Sequence, residues 1–261
     1  MTKRQPVLFL SHGSPLTALG GDELNRIWLA LAERLSKPQA ILMVSAHWMT
    51  RVPMVSGAVS PATIHDFGGF PDALYALDYP APGAPELAQR VKQQLTDAGI
   101  ATGIDSMRGF DHGAWVPLTA LFPHADVPVL QLSIQPERCA RHHYALGAAL
   151  SSLSDDGILV VASGHTTHNL MDWLRPPAVL PAPESATFRA WAHEAIMRGD
   201  DEALFGWGQV SGAHAAHPSN DHFLPLFVAL GTAGTQRRVE WCGGSWIEDA
   251  LAADNYLFMR P

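Results

Sequence analysis

Residues 158–165 read ILVVASGH, an apolar run followed by two small residues and a histidine. A run that is apolar at every position has no polar face. As a strand it must be covered on both sides, which is the environment of a parallel strand inside an α/β sheet. The same construction occurs twice upstream, as VLFLSH at 7–12 and ILMVSAH at 41–47, and a fourth run, VPVLQLSI at 127–134, lacks the terminal histidine. Between these runs, 22–35 (DELNRIWLALAERL), 85–98 and 137–153 have the apolar spacing of amphipathic helices. Strand and helix in alternation predict an α/β fold with a central, largely parallel or mixed sheet flanked by helices.

In open sheets of this kind, ligands bind in the crevice beyond the carboxyl ends of the strands. His12, His47 and His165, each following a buried run, are therefore expected to converge there. Taken singly, each is as readily an ordinary hydrogen-bonded or surface histidine, and it is the repetition that argues for a shared site. The small residues before them (Ser11, Ser45 with Ala46, Ser163 with Gly164) are expected to let the backbone approach a bound ion closely.

Two segments break the alternation. Residues 51–83, crowded with Gly and Pro, predict an ordered excursion over one face, and 174–184 (LRPPAVLPAPE) a Pro-rich connector before a helix at 185–197. Neither requires a second domain and no solenoid period is present, so residues 1–261 are expected to form a single catalytic domain.

Composition narrows the function. Hydrophobic residues at 47% and charged residues at 16% suit a large buried core. A formal charge of −8 with scattered basic residues offers no footprint for nucleic acid or an anionic membrane, leaving a small molecule as the expected partner. The amino-terminal apolar stretch stops at Ser11 and His12, short of the ~7–15 residues of a signal-peptide core, and no run approaches the ~18 of a transmembrane helix. The cytoplasm is the expected compartment. Two cysteines, Cys139 and Cys242, cannot build a disulfide framework or a thiolate metal site, whereas 13 histidines against 17 Lys plus Arg point to a metal held by imidazole.

Further candidates lie downstream. In HPSNDHFLPL at 217–226, Ser219 or Asn220 would cap a helix over 223–230, placing Asp221 and His222 in its first turn; the plainer alternative gives Asp221 to the helix dipole and leaves His222 exposed. DHGAWVPL at 111–118 puts His112 in a polar loop before a short helix that Pro117 would open. His168 reads as an ordinary exposed histidine, with orienting its loop as the alternative. Trp48, Phe67, Phe70 and Trp115 suit either an aromatic pocket or the core. The remaining His65, His124, His142, His143, His193, His214 and His217 show no spacing for a second metal.

Seven segments taken in order are FLSHGSP (9–15), VSAHW (44–48), HDFGGFP (65–71), YPAPG (79–83), DHGAWVPL (111–118), ASGHTTHNL (162–170) and HPSNDHFLPL (217–226). Together they resemble the class III extradiol ring-cleaving dioxygenases, most closely the 4,5-DOPA extradiol branch. The resemblance implies a metal bound by His12, His47 and His222, an acid/base at His165, and a histidine steadying substrate and oxygen at His112. It further implies Fe2+ for turnover with Zn2+ bound in purified protein, and a catechol such as DOPA with O2 as reactants.

The third position departs from the facial triad of two histidines and a carboxylate, and with Asp221 adjacent the third ligand stays open between Asp221 and His222. Three neutral imidazoles leave a divalent ion at +2 and so favour an anionic catecholate. Other readings of the same histidines are a zinc hydrolase or hydratase and a non-catalytic binding protein on this fold.

Overall fold

The computed structural model describes residues 3–260; residues 1, 2 and 261, which the amino-terminal and whole-chain expectations include, lie outside them. Eight strands among the described residues form one sheet: β1 (Val7–Ser11), β2 (Ala40–Met49), β3 (Met54–Ser56), β4 (Gly103–Asp105), β5 (Val129–Ile134), β6 (Ile158–Gly164), β7 (Arg238–Ile247) and β8 (Leu251–Met259). Their order is β4-β3-β5-β2-β6-β1-β8-β7. The four apolar runs are the central strands β5-β2-β6-β1, all parallel, while β3 against β5 and β8 against β1 are antiparallel, so the sheet is mixed.

Uniformly apolar strands alternate between two cores. Val7, Phe9, Leu42, Val44, Val160 and Ala162 face one side, and Leu8, Leu10, Ile41, Met43, Leu159 and Val161 the other. The second face is covered by α1 (Glu23–Ala32), through Leu24, Trp28 and Leu31. The first is covered in part by α2 (Pro85–Asp97), through Ala88, Val91 and Leu95. Helix α3 (His112–Leu121) joins α1, while α4 (Ala140–Ala149), α5 (Pro183–Arg198) and α6 (Leu224–Ala233) join α2. Burial on both faces is the reason no polar alternation marks these strands.

Three expectations need correction. The stretch 137–153 is not one helix but α4 and a separate turn at Ser152–Asp155. Pro117 does not open α3; it lies inside the helix, whose first residue is His112. Asp221 and His222 precede α6 instead of forming its first turn, and Asn220 spends its side-chain amide on the Pro136 carbonyl at 2.7 Å instead of capping.

The sequence also gave no sign of β7 and β8. Their connecting turn places Glu248 and Asp249 at φ 47 and 57, a left-handed pair normally flagged by Asn or Gly. The polar interior of β8 is satisfied from outside the strand: Asp254 pairs with Arg189 of α5 at 2.8 Å, and Asn255 accepts from Trp28 Nε1 at 3.2 Å.

No helix among the described residues is long and apolar enough to cross a membrane.

Candidate metal centre

Ser11 pairs with Gly164 across β1 and β6, so His12 and His165 leave adjacent strand ends. His47 lies within β2, not beyond it, where the register against β5 shifts between Val44 and Met49. His222 is tied to the same place by its backbone, its carbonyl accepting the His165 N–H at 2.9 Å. This close approach explains Gly164: a Cβ there would stand 2.1 Å from the His222 carbonyl oxygen. The small residues before the histidines therefore serve contacts within the protein, where an approach to an ion was expected. Ser11 Oγ likewise donates to the Asp254 carbonyl and Ser45 Oγ to Asp111.

The rings of His12, His47 and His222 bring one nitrogen each within 4.8 Å of the others. His12 Nε2 is 3.0 Å from His47 Nε2, which is 3.3 Å from His222 Nε2. The opposite nitrogens identify the tautomers of His12 and His222. His222 Nδ1 bonds the Asp221 carboxylate, so it carries the proton. His47 Nδ1 faces Asp66 Oδ2 at 3.8 Å. His12 Nδ1 is 3.0 Å from Ser163 Oγ, whose own proton goes to the Gly113 carbonyl, so the hydroxyl accepts and His12 Nδ1 donates.

The Nε2 atoms of His12 and His222 are therefore unprotonated, and His47 Nε2 lies within 3.3 Å of both. Burial, foremost, and then neighbouring imidazoles push the pKa of His12 and His222 well below the ordinary value and that of His47 down to about 4. Converging lone pairs at this range repel unless a cation lies among them. Metal–nitrogen bonds of about 2.1 Å subtend nitrogen–nitrogen edges of about 3.0 Å at a right angle and about 3.4 Å at the tetrahedral angle. The observed edges of 3.0 and 3.3 Å fall in that interval, so the donor set fits a divalent ion. Asp221, turned to His222 Nδ1, has the position of a carboxylate that orients a liganding imidazole.

The Ser163 contact has a source one element away. Pro117 has no N–H, so the Gly113 carbonyl four residues earlier in α3 lacks its helical donor. Ser163 Oγ fills that vacancy and so becomes an acceptor for His12.

His112 and His165 flank the cluster, their ring centroids 5.3 and 4.7 Å from that of His12. His112 is anchored by Asp66, which accepts from its Nδ1 at 3.0 Å and from its backbone N–H at 2.9 Å. Burial alone would raise the Asp66 carboxyl, but the bonds and charge of His112 outweigh it and hold the pKa at about 2. His165 is fully buried, with Nδ1 3.4 Å from the Ala252 carbonyl and Nε2 3.4 Å from that of Gly13. Burial lowers it to about 3 against the raising effect of those two carbonyls.

His168 is no ordinary surface residue. It stacks on His222 with centroids 3.3 Å apart and planes 8° from parallel, and burial lowers it to about 2. Its spacing of three from His165 was the only sequence sign.

A cavity of about 270 Å³ opens above the cluster, floored by His12, His47, His112 and His168. Phe67 and Phe70 line it as one alternative had it, whereas Trp48 and Trp115 are not in its lining and Trp115 is fully buried core. Sequence reasoning missed Asp66, although it sits in the quoted HDFGGFP. It also missed Leu170, Trp173, Ile247 and Leu251, apolar residues of a short helical turn and a hairpin that carry no local signal of a pocket.

Comparison with known proteins gives an independent line. Residues 6–259 match the family described as the catalytic LigB subunit of aromatic ring-opening dioxygenase. The chain is 40% identical over 255 residues to a 4,5-DOPA dioxygenase extradiol of Beta vulgaris, covering 96% of this chain and 95% of the relative. It is 40% identical over 231 residues to the Escherichia coli (strain K12) protein of the same name, covering 87% and 85%. The crystal structure of an uncharacterized Escherichia coli K12 protein superposes with a TM-score of 0.81 at 31% identity, covering 98% of this chain and 100% of that one.

Proposed function

Since the chain belongs to the LigB family of aromatic ring-opening dioxygenases and is an extradiol enzyme acting on a catechol with O2, we propose that His12, His47 and His222 hold its non-haem metal, with His165 and His112 as the catalytic side chains. The observation that carries this reading is the convergence of three Nε2 atoms along edges of 3.0 and 3.3 Å, with Nδ1 of His12 and of His222 held by a hydroxyl and a carboxylate. Fe2+ supports turnover and Zn2+ occupies the site in purified material. A bound ion supplies positive charge for a catecholate and, as iron, the electrons that O2 activation needs.

The protein's own groups do the rest. His165, buried against His12 and not among the residues lining the cavity, is kept neutral by burial; in this reading it takes a phenolic proton from a catechol held at the metal, and its two facing carbonyls stabilise the protonated ring until the proton is returned. His112, with Nδ1 committed to Asp66, presents Nε2 to the cavity. There it meets the polar atoms of substrate or oxygen, in an orientation that Asp66 fixes through Nδ1. The apolar wall excludes water from the reacting groups.

Residues 1–261 are read as one catalytic domain of the cytoplasm with no nucleic-acid or membrane partner, supported by the single sheet and the net charge of −8. The test is anaerobic loading with Fe2+ or Zn2+, then exposure to catechol with and without air. Iron-loaded protein consumes one O2 per ring opened and yields a yellow semialdehyde, and zinc-loaded protein binds catechol without turnover. Product formed in the absence of O2 overturns the proposal.

A further inference from the structure

Above the histidine floor, the wall of the cavity includes Leu170 and Trp173, both on the single helical turn Leu170–Leu174, whose sequence is LMDWL. The side chains of this turn are arranged inside out. Its four apolar residues are exposed, Leu174 by 76%, while its one charged residue, Asp172, is 1% exposed. Apolar side chains left in water contribute little to holding a segment in place, and a buried carboxylate is costly unless donors surround it.

Asp172 has those donors. Its Oδ1 accepts from Asn169 Nδ2 at 3.1 Å and from Arg175 Nε at 2.9 Å, and its Oδ2 accepts from Ser185 Oγ at 3.0 Å. Asn169 and Arg175 flank the turn, whereas Ser185 belongs to α5, so the carboxylate ties the turn to the body of the fold. The residues just upstream have anchors of their own. The His168 N–H donates to the Ala216 carbonyl at 2.7 Å, and Asn169 Nδ2 also reaches the Ala215 carbonyl at 2.9 Å. Trp173, beside Asp172 and beyond these anchors, therefore depends on the carboxylate for its place, while His168 at the cavity floor does not.

We propose that Asp172 is a positioning residue of the dioxygenase: its carboxylate, latched to Ser185, holds Trp173 at the cavity wall, where the indole packs on the ring substituent of a bound catechol. This role rests on the histidine floor being the metal site, because the ion fixes the diol there and leaves the substituent to meet the wall. Apparent affinity scales with the fraction of molecules whose wall is in place, and saturating substrate draws the rest into that state. Loosening the latch therefore raises KM and leaves kcat, which depends on groups at the floor.

The experiment uses the full-length protein, with DOPA and unsubstituted catechol as probes. O2 uptake by the iron-loaded form gives kcat and KM, calorimetry on the zinc-loaded form gives Kd, and metal analysis gives occupancy. Trp173→Ala raises the KM and Kd of DOPA by about tenfold through the lost aromatic contact. Asp172→Asn, which keeps the shape but loses the charge-assisted bonds, raises them by about three- to tenfold. Ser185→Ala, which removes one donor at a distance from the cavity, shifts them the same way by about two- to threefold. In all three variants kcat and metal content stay within about twofold of the parent, and unsubstituted catechol, which has no substituent to reach the wall, responds less than DOPA.

The deciding arm is Asp172→Asn in the Trp173→Ala background. If the carboxylate acts through the indole, the second substitution adds less than about twofold to the Kd of DOPA. A full additional loss there makes Asp172 an ordinary structural group and overturns the proposal while leaving the dioxygenase intact. So does a Kd unmoved by both Asp172→Asn and Ser185→Ala, or a defect that falls on kcat or metal content instead. If the unaltered iron-loaded protein takes up O2 with neither DOPA nor catechol, the reading of the metal site falls and this role with it.

Discussion

The carboxyl ends of β1 and β6 lie side by side, paired from Val7 with Val160 to Ser11 with Gly164, and each delivers a histidine after an apolar run and a small residue. They nevertheless deliver it into different surroundings. His12 meets a hydroxyl with Nδ1 and turns an unprotonated Nε2 towards His47. His165 meets a backbone carbonyl with each nitrogen and aims neither at the other imidazoles within hydrogen-bonding range. Part of that difference comes from Gly13, whose φ of 75 carries its carbonyl to His165. A Cβ at Gly13 would stand 2.7 Å from both Leu24 Cδ2 and Thr17 Oγ1. On the proposed roles, what separates a metal donor from a proton carrier is thus the partner of the remote nitrogen, and strand-end position contributes only proximity.

The sharpest way to break this comparison is to remove the two rings separately. His12→Ala is expected to lose the metal outright, with O2 uptake reduced by about a thousandfold or more. His165→Ala is expected to keep a full complement of metal while kcat falls by about 10²–10⁴. Metal analysis of the two purified variants beside their O2-uptake rates checks both. A His165→Ala protein that comes out metal-free would put both rings in the same class.

The comparison also shows where sequence ran out. The four central strands, the alternation with helices and the convergence of His12, His47 and His165 were legible, because uniform apolarity and strand-end placement are local properties. The roles proposed for His12 and His165 were not, since they rest on Ser163 Oγ and on the carbonyls of Gly13 and Ala252, contacts across strands that leave no periodic trace. His222 reached the donor set by family resemblance; its residue pattern alone fitted an exposed position equally well. The hairpin β7–β8 was invisible for a different reason: Gly243 and Gly244 interrupt one strand, buried Asp254 and Asn255 the other, and its turn uses Glu248 and Asp249 in place of glycine.

A milder perturbation leaves both rings in place and removes only the partner of His12. Ser163→Ala deletes the acceptor that holds the proton on Nδ1, so the ring loses its fixed tautomer and orientation. The expected result is a drop in metal affinity of about 10- to 100-fold, with His165 and its carbonyl contacts unaffected. Competition with a chromophoric chelator measures it, and an affinity within about twofold of the parent would show that strand geometry alone orients the donor.

Pro117→Ala tests the origin of that hydroxyl's orientation and should have the smallest effect. The substitution supplies a backbone N–H able to reach the Gly113 carbonyl in the ordinary helical manner, in competition with Ser163 Oγ. A hydroxyl released from Gly113 can rotate and donate elsewhere, so its hold on His12 weakens without vanishing, and a loss of metal affinity of only a few-fold is expected. The informative arm is the double variant. In Ser163→Ala the buried Gly113 carbonyl is left without a donor, which costs about 1–3 kcal/mol, and there the new N–H of Pro117→Ala restores a partner. The same substitution should therefore weaken metal binding in the parent yet raise the unfolding temperature of the Ser163→Ala protein. A gain in unfolding temperature that is larger in the Ser163→Ala background than in the parent follows only if the two donors share one acceptor. Equal shifts in both would mean that Pro117 acts on α3 alone, and His12 would owe its orientation to β6 and not to the missing N–H in a neighbouring helix.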